Sequence, residues 1–255
     1  MEGYLKGQLV IVGPGRAGTA FAEALAARSP LLTRNVDDAR DASIALLAVP
    51  DDAVAGCARA LRGPAVLGML SGSVPLAALG VRDHAFALHP MQSIPLVGGA
   101  AALRGAFACL TATSETARSA ALEIAAAAGL RVVEVPEGAR PLPHVACVFA
   151  SNYVVTLLAA ADALLGAAGL TGDRLRLVGP LIGETLARAL APGADLEPTG
   201  PVARGDRDTV ARHLQVLRDQ MPDLVDLYQA LARATAELVS DEAAARVAPL
   251  LGTAP

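Results

Sequence analysis

Short, largely apolar runs recur along the first half of the chain, beginning with residues 8–12 and continuing at 31–34, 43–49, 65–70, 85–88, 107–111 and 131–135. Each is bounded by Gly, Pro or polar residues and is too short for a helix, so each predicts a strand. Between them, apolar residues fall at helical spacing over 16–28, 51–62 and 114–128, with a short helix near 75–79. Asp51 after Pro50 and Ser114 before Glu115 suit helix starts. Apolar strands alternating with helices predict a mostly parallel sheet buried on both faces.

The pattern changes near residue 136, where Pro136, Gly138, Pro141 and Pro143 interrupt it. Beyond them the spacing predicts only helices, over 143–168, 173–190, 207–219, 222–239 and 241–250. A Pro- and Gly-rich break at 191–206 separates two of these. The expected organisation is an α/β domain over 1–136 followed by an all-α domain over 137–255. The apolar segment 145–170 carries Ser151, Asn152, Tyr153, Thr156 and Asp162. A charge inside a membrane span is costly, so this segment is expected to be a buried helix of a soluble protein.

Composition agrees. The 255 residues include 53% hydrophobic and 18% charged, which excludes a disordered chain. A net charge of −4 gives no footprint for nucleic acid or a basic membrane surface. Residues 1–8 lack the basic start and long apolar stretch of a signal peptide. The three cysteines, Cys57, Cys109 and Cys147, are far apart and odd in number. They predict small core residues of a reduced, cytoplasmic protein. The histidines His84, His89, His144 and His213 are scattered without metal-ligand spacing.

The densest chemical signal follows the first strand. Gly13, Gly15 and Gly18 stand in the G-x-G-x-x-G spacing, within the run Gly13, Pro14, Gly15, Arg16, Ala17 and Gly18. The first glycine permits a tight turn, the second lets a pyrophosphate approach, and the third lets helix and strand pack closely. The helix start then favours negative charge. Strand, glycine turn and helix together predict a Rossmann-type dinucleotide site. Counting about 20 residues on, where an acidic residue would hold the ribose of NAD, reaches Thr33 and Arg34. A hydroxyl and a guanidinium there favour the 2′-phosphate of NADP, although Asp37 lies close enough to compete. An acidic residue, as an S-adenosylmethionine methyltransferase would need, is missing at that point.

Ligands in such sheets bind beyond the carboxyl ends of the strands. Three ends offer groups there: Val49 and Pro50, Ser71, and the stretch His89 to Ser93 with Gln92. On the long helix, His144, Ser151 and Asn152 return to one face at about 3.6 residues per turn. A reductase needs a proton donor, and imidazole, with an unperturbed pKa of about 6.5, suits the task. His144 is therefore a candidate acid, the alternative being a helix-starting or core histidine. Arg204 suits a substrate carboxylate, or else a structural network with Asp206, which is placed to cap the following helix.

These motifs, with Ala150-Ser151-Asn152-Tyr153, Thr199-Gly200-Pro201, Arg204-Gly205-Asp206, Thr209 and His213-Leu214, resemble a family of bacterial Rossmann-like oxidoreductases of largely unassigned function. Its helical C-terminal domain is related to that of 6-phosphogluconate dehydrogenase. The resemblance implies an NADP-linked reductase of a small molecule that forms a homodimer through the helical domain. Some members look like an alternative ketopantoate reductase. In the related β-hydroxyacid dehydrogenases, a Lys four residues before the equivalent of Asn152 is the acid. Val148 stands there in this chain, leaving His144 as the substitute, and Pro143 stands where an aromatic residue is expected. A second expectation, favoured by that missing Lys, is a non-catalytic NADP(H)-binding redox sensor or interaction subunit.

Overall fold

A computed structural model describes residues 7–252 except Arg62 and Asp195. Residues 1–6 of the stretch read for a signal peptide, and the Arg62 end of the predicted 51–62 helix, lie outside the described residues. The described chain divides into two compact units, one reaching Tyr153 and one starting at Val154.

The first unit is built on a seven-stranded sheet. Its strands are β1 (Leu9–Val12), β2 (Leu31–Thr33), β3 (Ile44–Leu47), β4 (Val66–Met69), β5 (Ala85–Pro90), β6 (Phe107–Ala112) and β7 (Arg131–Glu134), in the order β2-β1-β3-β4-β5-β6-β7. All seven predicted strands are present. Every neighbouring pair is parallel except β5 and β6, where His89 faces Cys109 in antiparallel register. The helices are α1 (Arg16–Ala24), α2 (Asp51–Ala60), α3 (Gly99–Leu103) and α4 (Glu115–Ala128). Ser114 caps α4, its hydroxyl accepting from the Ala117 N–H. The helix expected over 16–28 ends at Ala24; a 3-10 turn follows, closed by Ser29 at a φ of 48°. The short helix near 75–79 is a 3-10 turn, Leu76–Leu79, whereas α3 carries no cap signal and was not predicted.

Side chains alternate across a strand, so Leu9 and Ile11 join one core while Val10 and Val12 join the other. The first core holds Phe21, Phe86 and the alanine face of α4; the second holds Leu47, Met69 and Val54 of α2. Small residues allow close approach. A Cβ on Gly68 would lie 2.1 Å from Cζ of Phe86, so the glycine makes room for that fully buried ring.

The long helix opens with α5 (Pro141–Cys147), continues through a π-helical turn at Val148–Asn152 and ends as α6 (Tyr153–Ala167). The strands therefore end where expected, at Glu134, while the two units part inside this helix.

In the second unit, α6 is followed by α7 (Leu175–Ala189), α8 (Arg207–Gln220), α9 (Val225–Ala236) and α10 (Asp241–Val247). Asp206 caps α8, accepting from the Thr209 N–H at 3.1 Å, and that bond pulls its carboxyl below the usual range. Val210, Leu214, Ala232 and Val247 form a small core of α8, α9 and α10. The expectation that the 145–170 segment is buried is corrected: no described residue of α6 or α7 is buried. α6 is apolar around most of its circumference, and one chain has no second layer to cover it. By length and composition the stretch Glu137–Ala167 could cross a membrane. Its Asp162 is paired with Arg174 through two bonds of 2.9 and 2.5 Å.

Removing the Phe86 ring opens a cavity in the sheet core. Phe86→Ala should cost about 3–5 kcal/mol, read as a lowered denaturation midpoint in urea. An unchanged midpoint would mean the ring is not the packing element described.

Candidate functional site

The glycine turn has the geometry its spacing predicts. Gly13 has a φ of 111°, and a Cβ there would sit 2.4 Å from the Ala48 carbonyl oxygen. A Cβ on Gly18 would lie 1.9 Å from the Gly13 carbonyl oxygen, so the third glycine sets how closely α1 approaches the turn. Gly15 is different: nothing lies within 4 Å of its ideal Cβ. That open space leaves the backbone approachable, and Gly15 begins α1 without a side-chain cap. Arg16 beside it is exposed.

At the end of β2 the Thr33 hydroxyl donates to Asp38 at 2.5 Å and accepts the Asn35 N–H. Arg34 is exposed. Asp37 pairs instead with Arg40 at 2.8 Å. The acidic neighbour of Thr33 is thus Asp38, which the sequence reading missed; Asn35 aims it there by donating to its other carboxylate oxygen.

Beyond β3, Val49 leads to Pro50, which begins α2. Beyond β4, the Ser71 hydroxyl accepts the N–H groups of Ser73 and Val74, and the Ser73 hydroxyl donates to Asp51 at 2.5 Å. This loop is gripped by Arg140, a residue only 5% exposed. Arg140 donates to the carbonyl oxygens of Ser71 and Val74 at 2.8 and 2.5 Å, and Glu137 accepts the Leu76 N–H at 2.8 Å. Arg140 was also missed. Its signal was a lone Glu137/Arg140 pair inside the Pro and Gly cluster, four residues before His144.

The same loop brings two imidazoles together. His89 Nδ1 lies 3.1 Å from the Leu70 carbonyl oxygen, and His144 Nδ1 lies 3.4 Å from His89 Nε2. The rings meet edge-on, with centroids 5.1 Å apart at 66°. Burial pushes the His89 imidazole below its usual range, against the raising effect of the Leu70 bond. Gly72 makes the contact possible: a Cβ there would sit 2.7 Å from His89 Cδ2 and 2.8 Å from His144 Nδ1.

Around this pair lies a cavity of about 650 Å³, lined by His89, Gln92, Ser93, His144, Cys147, Ser151 and Asn152 among others. His144, Ser151 and Asn152 thus share a wall, as helical spacing predicted. The π-helical turn carrying the last two, a feature frequent at functional sites, was not legible. The Ser151 hydroxyl lies 2.7 Å from the Cys147 carbonyl oxygen. Gln92 spends its amide on its own loop, donating to the Ala102 carbonyl and accepting the Ser93 N–H. Cys109 is buried and the half-buried Cys57 packs against the second core, while Cys147 joins neither core, which corrects the expectation of three core residues. Cys147 turns toward the cavity rather than the sheet core, and partial burial still pushes its thiol up.

Arg204 belongs to the second unit. With Arg207, Arg246, Asp206 and Asp208 it lines a separate polar cleft.

A family model described as "Domain of unknown function (DUF2520)" matches residues 106–235. No curated protein matches the sequence. Solved structures of similar fold include a Bacteroides fragilis protein, BF3122, provisionally described as an NADP oxidoreductase. It is 22% identical, covers 92% of this chain and 99% of its own, and has a TM-score of 0.74. Protein TM1727 of Thermotoga maritima is also 22% identical, with the same coverage and a TM-score of 0.70. Pyrroline carboxylate reductase of Plasmodium falciparum, solved with NADP bound, is 15% identical over 95% of this chain and 98% of its own, at a TM-score of 0.57. At these identities the likeness establishes the fold.

The glycine turn tolerates no side chain at Gly18. Gly18→Ala should push α1 from the turn and cost about 1–3 kcal/mol, read as a lowered denaturation midpoint in urea. An unchanged midpoint would refute the packing role given to Gly18.

Proposed function

Starting from membership of the DUF2520 family, to which the chain belongs, we propose that it is an NADPH-dependent oxidoreductase reducing a small carbonyl substrate. The observation that carries this reading is the pair of features in the first unit: the glycine turn, and the histidine-lined cavity at the ends of β4 and β5. The residues present fit a dinucleotide. Gly13, Pro14, Gly15, Arg16, Ala17 and Gly18 form the pyrophosphate turn, with uncapped N–H groups and open space at Gly15. The exposed Arg34 meets the 2′-phosphate beside Thr33, whose hydroxyl is given to Asp38, and Val49, Pro50 and Ser71 border the nicotinamide. NADP is also the dinucleotide named for the Bacteroides protein and bound in the Plasmodium reductase.

When bound, NADPH supplies a hydride to the carbonyl carbon. The chain supplies the rest. His144 gives a proton to the carbonyl oxygen as the carbon–oxygen π bond breaks, so that an O–H bond forms and the charge on the oxygen never accumulates. Asn152 and Ser151, on the same wall, orient that oxygen. A 2-oxo acid such as ketopantoate is the substrate class proposed. A second reading, a non-catalytic NADP(H)-binding sensor, is favoured by Val148 in the place of a catalytic Lys.

A titration of NADPH and NADH followed by nicotinamide emission tests the cofactor, and the absence of Trp keeps the protein background low. NADPH should bind more tightly, and Arg34→Ala should weaken NADPH about tenfold, the scale of a hydrogen bond to a charged group, with little effect on NADH. Equal losses would refute the NADP assignment. His144→Ala should lower turnover of a carbonyl panel by about 10²–10³ with cofactor affinity intact. No NADPH oxidation by wild-type protein across the panel would favour the sensor.

The uncovered helices α6 and α7 support a homodimer. Val155, Leu177 and Leu181 are each more than 60% exposed, and a stable interface buries about 800 Å² per partner. Light scattering should give twice the chain mass, and Val155→Asp with Leu181→Asp should reduce it to one. A monomeric wild-type protein would refute this pairing.

A further inference from the structure

The histidine pair fixes more than position. A carbonyl oxygen only accepts, so His89 carries its proton on Nδ1, toward Leu70. His89 sits where burial disfavours its charged form, with His144 and Arg140 as further opposing charges; the Leu70 bond and Asp51 favour that form, and burial outweighs them. A neutral His89 therefore presents a bare Nε2. That lone pair faces Nδ1 of His144 at 3.4 Å. Two bare nitrogens would repel, so Nδ1 of His144 holds a proton and donates it to His89. Free histidine prefers the opposite tautomer, with the proton on Nε2.

We propose that His89 is the positioning residue of this site, holding His144 in the tautomer protonated at Nδ1 and leaving Nε2 as the nitrogen that releases and regains the working proton. This inference rests on the reading of His144 as the acid. In the charged state both nitrogens of His144 carry protons, and the one on Nδ1 stays there, donated to His89 Nε2. Release from Nε2 to the substrate oxygen then yields the tautomer that His89 already stabilises, with no ring rotation and no second proton transfer. Gly72 is the space the arrangement needs, and the Arg140 bonds to Ser71 and Val74 hold Gly72 in place. A side chain at residue 72 would wedge between the rings without altering either imidazole. His89 plays the part that a carboxylate or a carbonyl plays behind many working histidines; here the Leu70 carbonyl reaches His144 through one more ring.

Long-range ¹H–¹⁵N spectra of the ¹⁵N-histidine-labelled full chain read the tautomer directly, with signals assigned by single His→Gln variants. His144 should be protonated at Nδ1 in the neutral state. His89→Leu, which removes the acceptor, should return His144 to the Nε2-protonated form and lower turnover about tenfold, the scale of a hydrogen bond to a charged group. His89→Gln places an amide oxygen near the old Nε2 and should restore most of both. Gly72→Ala should shift the tautomer as His89→Leu does. A wild-type His144 protonated at Nε2, or a His89→Leu variant with unchanged spectrum, would overturn the proposal. The spectra need neither cofactor nor substrate, so a chain inert toward NADPH would refute the reductase reading while the tautomer still judged the pairing.

Discussion

An arginine only 5% exposed needs acceptors for its guanidinium, and Arg140 finds them in the backbone of the loop after β4 and in the Glu137 carboxylate at 3.4 Å. Removing the guanidinium would leave the Ser71 and Val74 carbonyls without this donor, at about 1–3 kcal/mol each. The clamp therefore ties the beginning of the long helix to the sheet at one place, the carbonyls of Ser71 and Val74. Everything proposed for the cavity follows from that register. It decides where α5 starts, and so which turn of the helix brings His144 over Gly72. Glu137 reinforces it from the same segment by accepting the Leu76 N–H. Arg140 thus acts as a structural hinge-pin.

The fold was largely legible because its signals are local. Seven short, largely apolar runs bounded by breakers sufficed for seven strands; β1, β3 and β4 are buried throughout, as a central parallel strand is, while the edge strands β2 and β7 stay partly exposed. Helix boundaries were read within a few residues wherever a side chain capped them, as at Ser114 and Asp206. α3 escaped because it is five residues long and starts from Gly98 with no cap. The burial of α6 was misread for another reason. Hydropathy records that a surface avoids water, and one chain does not say what covers it.

The site was legible in part. In the glycine turn Gly13 and Gly18 each answer a steric demand, the Ala48 carbonyl at one and the Gly13 carbonyl at the other, whereas the space beside Gly15 is open. His144, Ser151 and Asn152 share one helix, so their common wall followed from periodicity. The partnership of His89 with His144 did not, because 55 residues separate them and no local rule joins a strand end to a later helix. The same holds for Arg140 and the Ser71 loop. Asp38 was overlooked because the count of about 20 residues from Gly13 points at the strand end, and the turn that folds back on it is set by Asn35.

Three consecutive features of one loop now explain each other. The Leu70 carbonyl orients His89, the Ser71 carbonyl accepts from Arg140, and Gly72 leaves room for the two rings. Backbone carbonyls are well suited to this work. They accept only, they do not titrate, and a strand end holds them rigidly. A carboxylate in the place of Leu70's carbonyl would add a charge and favour a doubly protonated His89, which would turn an N–H toward His144 and break the pairing. A neutral acceptor keeps His89 bare at Nε2. The end of β4 therefore aligns the imidazoles without placing a negative charge against either ring.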